Sequence, residues 1–67
     1  MNDSEALTDI LVHRRGTRNL RFRAVLEMLQ SQSSVEVDPT RLGEALRQCA
    51  QDNLIRYHER RQAIDVL

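Results

Sequence analysis

The last third of the chain constrains the fold most. Leu42, Ala45, Leu46 and Cys49 recur at i, i+3, i+4 and i+7, the period of an amphipathic helix. Asp38-Pro39 opens that helix with an acceptor side chain at the cap and a proline at the first helical position. Asp52-Asn53 is a stop. Two short alternating segments follow, separated by Glu59, Arg60, Arg61 and Gln62. A four-residue turn at those positions sets Tyr57 against Ile64 and Ile55 against Val66 on one face. It sets Arg56 against Asp65 on the other. Apolar pairs collect on one surface and an opposite-charge pair on the other, and a slip of one residue destroys the match. The chain therefore ends as a helix followed by a hairpin.

Upstream, Leu7, Ile10 and Leu11 make one apolar stripe of a first helix starting near Ser4. Asp3, Glu5 and Asp9 near its start and Arg14 and Arg15 near its end complement the helix dipole. Gly16 is placed to close it in a left-handed conformation. Thr17 or Asn19 can cap a second helix with the stripe Leu20, Phe22, Val25, Leu26 and Leu29. Val35-Glu36-Val37 alternates as a short strand would. The predicted core is Leu7, Ile10, Leu11, Phe22, Val25, Leu26, Leu29, Val35, Val37, Leu42, Ala45, Leu46, Cys49, Ile55, Tyr57, Ile64 and Val66. The fold class is α+β, a single small domain over residues 1–67 in the order helix, helix, strand, helix, strand, strand. A helix running into a hairpin is how a winged-helix module ends.

At 67 residues the chain is one domain at most, and a chain this short buries only about 60% of its unfolded surface. One cysteine excludes an internal disulfide, and neither His13 nor His58 has metal-ligand spacing to it. A free thiol suits a reducing compartment. No apolar run reaches the roughly 18 residues of a membrane span, and no basic-then-apolar leader is expected. Catalysis finds no support. There is no nucleotide-binding G-x-x-x-x-G-K-[ST] loop, no base-oriented nucleophile, and the carboxylates are scattered. Cys49, on an apolar stripe, reads as an inert core thiol, and both histidines read as surface residues. No cofactor is expected.

Net charge is zero, yet the charge is segregated. Every basic residue is arginine, a group that makes fork-shaped contacts with phosphate or carboxylate. Arg14, Arg15, Arg18, Arg21 and Arg23 cluster around the first helix–helix elbow with no acid among them. They suit phosphate or an acidic protein surface. Set against that, Arg14 and Arg15 can simply complement a helix end, and Arg23 can pair with Glu27. Arg60 and Arg61 occupy the hairpin tip, where backbone–phosphate contacts of a wing fall, or where charge merely solubilises a turn. On the third helix, Arg41, Glu44, Arg47, Gln48 and Gln51 form the exposed face. Major-groove reading by Arg47 and Gln51 competes with a solvated face holding ion pairs such as Glu44 with Arg47, and the latter is favoured. Placing the first strand at Val35–Val37 also leaves no helix between it and the third helix, so the helix-turn-helix core looks incomplete.

The run from Leu20 to Ile55 resembles the C-terminal winged-helix domain of minichromosome maintenance (MCM) replicative helicase subunits, most nearly the fourth subunit of the eukaryotic heterohexamer. The marks are Glu5-Ala6-Leu7 in the first helix, Phe22 just after Leu20, and a Gln-Ser pair before the short strand. Glu44-Ala45-Leu46-Arg47 with Ala50, Asp52-Asn53 and the apolar C-terminus complete them. The likeness runs without gaps from about Glu5 to about Tyr57, and its joint spacing is more specific than any single mark. It implies a nuclear, non-catalytic piece from the C-terminal end of a larger chain whose motor lies upstream. It implies control of helicase loading or activity through contacts with other helicase subunits or replication proteins, with DNA contact weak or absent and the isolated domain monomeric. The expected contact residues are Arg14, Arg15, Arg18, Arg21, Arg23, Arg47, Arg60 and Arg61. The rival readings are a free-standing winged-helix DNA-binding regulator and a winged-helix adaptor of another complex.

Overall fold

A computed structural model of the chain describes residues 3–67. The elements are α1 (Asp3–Val12), β1 (Leu20–Arg21), α2 (Phe22–Gln32), α3 (Pro39–Gln51), β2 (Ile55–His58) and β3 (Ala63–Val66). The α+β winged-helix architecture expected from the sequence is present, with the first strand in a different place.

The hairpin has the predicted register. Ile55 opposes Val66, Arg56 opposes Asp65, Tyr57 opposes Ile64 and His58 opposes Ala63. β3 is the middle strand, in the order β1-β3-β2. Its other edge is taken by β1, where Leu20 opposes Ile64 and Arg21 opposes Ala63. The pairing continues past the strand ends: Gly16 N–H donates to the Val66 carbonyl at 2.9 Å, and Val66 N–H to the Thr17 carbonyl at 2.8 Å.

The strand expected at Val35–Val37 is absent for a specific reason. Its backbone is satisfied by one side chain instead of a ladder. Gln30 Nε2 donates to the Val35 carbonyl at 2.9 Å, and its Oε1 accepts from Val37 N–H at 2.7 Å. A single amide thus mimics the paired groups of a neighbouring strand. Val37 is buried against the core, but Val35 is 64% exposed and does not belong to it. With the first strand at Leu20–Arg21, α2 lies between that strand and α3, so the helix-turn-helix core is complete. This overturns the incomplete core inferred from the sequence. The second helix also starts later than expected. Its cap position is Arg21, with no side-chain hydrogen bond, and neither Thr17 nor Asn19 caps it.

The helix boundaries elsewhere follow local chemistry. Asp38 Oδ1 accepts from Thr40 N–H at 2.9 Å, and Pro39 occupies the first turn of α3. At the other end Asn53 adopts φ 61°. Its N–H donates to the Ala50 carbonyl at 3.1 Å, and Leu54 N–H to the Cys49 carbonyl at 3.0 Å, the paired bonds of a Schellman close. Gly16, at φ +83°, gives the chain the left-handed residue that turns it from α1 toward the sheet.

The core lies where the helices meet the hairpin. Ile10, Val25, Leu46, Ile55 and Ile64 are fully enclosed. Leu20, Phe22, Leu26, Ala45, Cys49 and Tyr57 pack against it half-buried. Ala6 and Ala63 are buried too, although no apolar stripe marked them.

Candidate functional site

The arginines gathered by the sequence are divided among different tasks by the fold. Arg14 is half-buried and bends back on its own helix, Nη1 donating to the Ile10 carbonyl at 3.2 Å. It neutralises a carbonyl end of α1, where a cation is favoured. Arg15, one residue on, lines an apolar groove. Arg23 lies 3.7 Å from Glu27 on the exposed face of α2, the helical pair that the sequence had offered as the plain alternative.

Arg18 and Arg21 converge with Arg61, which comes from the far end of the sequence. Together with Asn19 and Asp65 they line one open recess at the β1–β3 edge. Arg18 also joins Arg56 and Asp65 along the adjoining surface. Arg18, Arg21, Arg56 and Arg61 thus line two adjoining recesses that share Asp65, and of the four it is Arg61 whose charge acts on that carboxyl. The β1–β3 pairing makes this cluster by placing Leu20–Arg21 beside Ala63–Ile64. With a first strand at Val35–Val37, as the sequence pattern suggests, Arg61 stands apart at the wing; the observed pairing brings it to Arg18 and Arg21.

Asp65 is held in place within that cluster. Asn19 N–H donates to Oδ1 at 2.9 Å, and His58 Nε2 lies 3.0 Å from Oδ2. The backbone hydrogen bond from Asn19, followed by that from His58, holds the Asp65 carboxyl below its ordinary range. Asn19 reaches this position with φ 58°, a left-handed conformation that asparagine tolerates better than most residues. The His58–Asp65 pair was missed in the sequence, where His58 was read as a surface residue. The correct register contained the signal: His58 faces Ala63, so Asp65 is its diagonal neighbour.

On α3, Arg47 is engaged. Its Nε donates to Glu59 Oε1 at 2.7 Å. The partner is on the hairpin turn and not on the helix, where Glu44 had been the expected one. The hydrogen bond to Glu59, then the charge of Glu59, raises the guanidinium's affinity for its proton further. Gln48 Nε2 donates to Asp52 Oδ1 at 3.3 Å. Arg47 and Gln48 of the polar face that a base-reading helix would present are therefore bonded within the domain, while Arg41, Glu44 and Gln51 stay exposed. Arg60 projects from the turn as an exposed residue.

Chemistry at the remaining groups is limited. Burial, followed by the charge of Asp52, pushes the half-buried Cys49 thiol up and away from a reactive thiolate. His13 is tied to its own helix, Nδ1 lying 2.7 Å from the Asp9 carbonyl. Among the described residues no group of three or more histidine, cysteine or carboxylate side chains could hold a metal ion. No helix among them is long and apolar enough to cross a membrane.

A family model described as "MCM4, winged helix domain" matches residues 4–62. No match to a curated protein, and none to a solved structure, is found.

Proposed function

Because the chain belongs to the MCM4 winged helix domain family, which spans residues 4–62 of its 67, we propose that it is a non-catalytic interaction domain of a replicative helicase subunit. It is the C-terminal piece of a larger chain, works in the nucleus, and is monomeric in isolation. Its partners are other helicase subunits or replication proteins, and its contacts adjust loading or activity of the helicase.

The observation that carries this reading is the state of α3. A winged helix that reads DNA presents free basic and polar groups on that helix to base edges. Here Arg47 is bonded to Glu59 and Gln48 to Asp52. Arg41, in the first turn of α3, stays exposed, and the other available positive charge lies at Arg18, Arg21 and Arg61, at the sheet edge, with Arg60 exposed beside Arg61 in sequence. Guanidinium groups so placed suit carboxylates on a protein surface, and would make only weak, sequence-independent contact with phosphate.

A nuclear magnetic resonance titration of the labelled domain with purified helicase subunits tests the proposal. Saturable shifts at the amides of Arg18, Arg21 and Arg61 are expected with at least one subunit. Silence with every subunit, combined with shifts along α3 on adding duplex DNA, would contradict it.

A further inference from the structure

Large apolar side chains are exposed at four places among the described residues: Val12, Val35, Leu54 and Leu67, each between 49% and 64%. Three of the four, Val12, Leu54 and Leu67, line one groove. α1 contributes Val12, the link between α3 and β2 contributes Leu54, and Leu67 follows β3. The buried side chains of Leu11 and Val66 also reach it, so the groove is continuous with the core. Scattered surface leucines need no explanation; here three large apolar side chains share one concave groove backed by core residues, the form that binding grooves take.

The occupant can be argued from size and charge. At about 260 Å³ the groove lies just under the range of small-molecule pockets. It suits the anchors of a helical segment, which enters such grooves with apolar residues one turn apart. The ionisable side chain that lines it is Arg15. No described carboxylate pairs with Arg15, whereas Arg14 beside it is turned onto the Ile10 carbonyl. An apolar groove with a guanidinium at its edge that no described carboxylate compensates selects a carboxylate next to the apolar anchors.

We infer that the groove between α1 and the base of the hairpin docks an amphipathic helical segment of a partner protein, two apolar anchors filling the cleft and an adjacent acidic residue meeting Arg15. This deepens the interaction reading above and rests on it. It assigns the apolar contact to residues other than those of the Arg18–Arg21–Arg61 recess, which the adjoining surface of Arg18, Arg56 and Asp65 connects to Val66 and Leu67 of the groove.

The probe is a synthetic helical peptide with leucines one turn apart on one face and glutamates beside them. Its control carries lysines in place of the glutamates. The glutamate peptide should give saturable amide shifts at Val12, Leu54 and Leu67. The lysine peptide should bind about tenfold more weakly, and Arg15→Glu should reverse that order. Leu54→Gln removes an exposed anchor, should leave thermal unfolding in place, and should weaken the glutamate peptide about tenfold. Equal binding of both peptides overturns the inference. So do shifts confined to other faces, or shifts that appear on concentrating the domain alone, which would make a second copy the occupant. Purified helicase subunits separate the two claims. If they bind wild type and Leu54→Gln equally, the groove assignment fails while the interaction reading stands. If none binds wild type but the glutamate peptide does, the reading fails and the groove stands.

Discussion

Arg47 of α3 and Glu59 of the hairpin turn are joined across 2.7 Å, and this bond couples the helix that could read DNA to the wing beside it. Both side chains are more than half exposed, at 63% and 54%, so solvent and salt screen the pair and its share in stability is small. Its consequence is partial occupancy: Glu59 takes the Nε donor of Arg47 and offsets the charge that the guanidinium presents to phosphate or base. Glu59→Gln should leave the melting temperature nearly unchanged. It should steepen the salt dependence of duplex binding by about one unit, the effect of one added phosphate contact. An unchanged slope would mean that Arg47 is not withheld by its partner.

Leu46 is completely enclosed, where α3 meets the rest of the core. Replacement by alanine removes its contacts and leaves a cavity, at a cost of about 2–5 kcal/mol. That is enough to unfold most molecules of so small a domain. Circular dichroism melting checks this, and a curve superimposable on wild type would refute the packing described.

The two glycines should respond to alanine in opposite directions. Gly16 has φ +83° and nothing within 4 Å of an added Cβ, so the penalty of Gly16→Ala is the left-handed backbone alone, about 1–2 kcal/mol. Gly43 sits inside α3, where an added Cβ would lie 3.9 Å from the Tyr57 hydroxyl, an ordinary contact. Gly43→Ala should therefore stabilise the domain by about 1 kcal/mol through helix propensity. Urea unfolding of both variants measures the contrast, and the same sign for both would contradict the local geometry.

Much of this architecture is legible in the sequence, because the signals involved are local. The Asp38-Pro39 start, the Asn53 close and the hairpin register depend on neighbouring residues or on one turn of known length. The first strand was misplaced because Leu20-Arg21-Phe22 and Val35-Glu36-Val37 alternate equally well, and which pairs with β3 is decided by a long-range contact. Gln30 settles it by capturing the backbone of residues 35–37 with its own amide, which no periodicity reveals. The same error separated Arg61 from Arg18 and Arg21, so individual arginines were visible in the sequence while their convergence was not. Arg47 with Glu59, a pairing of the helix with the hairpin turn, was hidden as another contact outside the local window, whereas His58 with Asp65 was implicit in the predicted register as a diagonal pair.

Gln30→Ala should release that segment. Protection of the Val37 amide against hydrogen exchange should fall, and stability should drop by about 1–3 kcal/mol, the net worth of two typical hydrogen bonds. Gln30→Glu keeps the acceptor for Val37 N–H but loses the donor to Val35, and should retain part of the protection. Undiminished protection in the alanine variant would show that something else holds residues 35–37.

Acid should act through Asp65. Its folded-state carboxyl is held below its ordinary value by Asn19 and then His58. The carboxylate therefore stabilises the fold above about pH 4, the ordinary range of an unfolded aspartate. That contribution is lost as the pH falls through the lower folded value. Asp65→Asn removes it at every pH. Wild type should thus lose melting temperature more steeply than Asp65→Asn on acidification below about pH 4. Parallel curves would exclude a folded-state preference for the charged form.

Duplex binding as a function of salt tests the central claim most directly, that this domain works by protein contact and does not read DNA. With α3 bonded to the hairpin turn and charge left mainly at the sheet edge, the account predicts affinity weaker than micromolar near physiological salt and a shallow slope. Submicromolar affinity with a slope of several units would show phosphate contacts in number, and would make the domain a DNA-binding module.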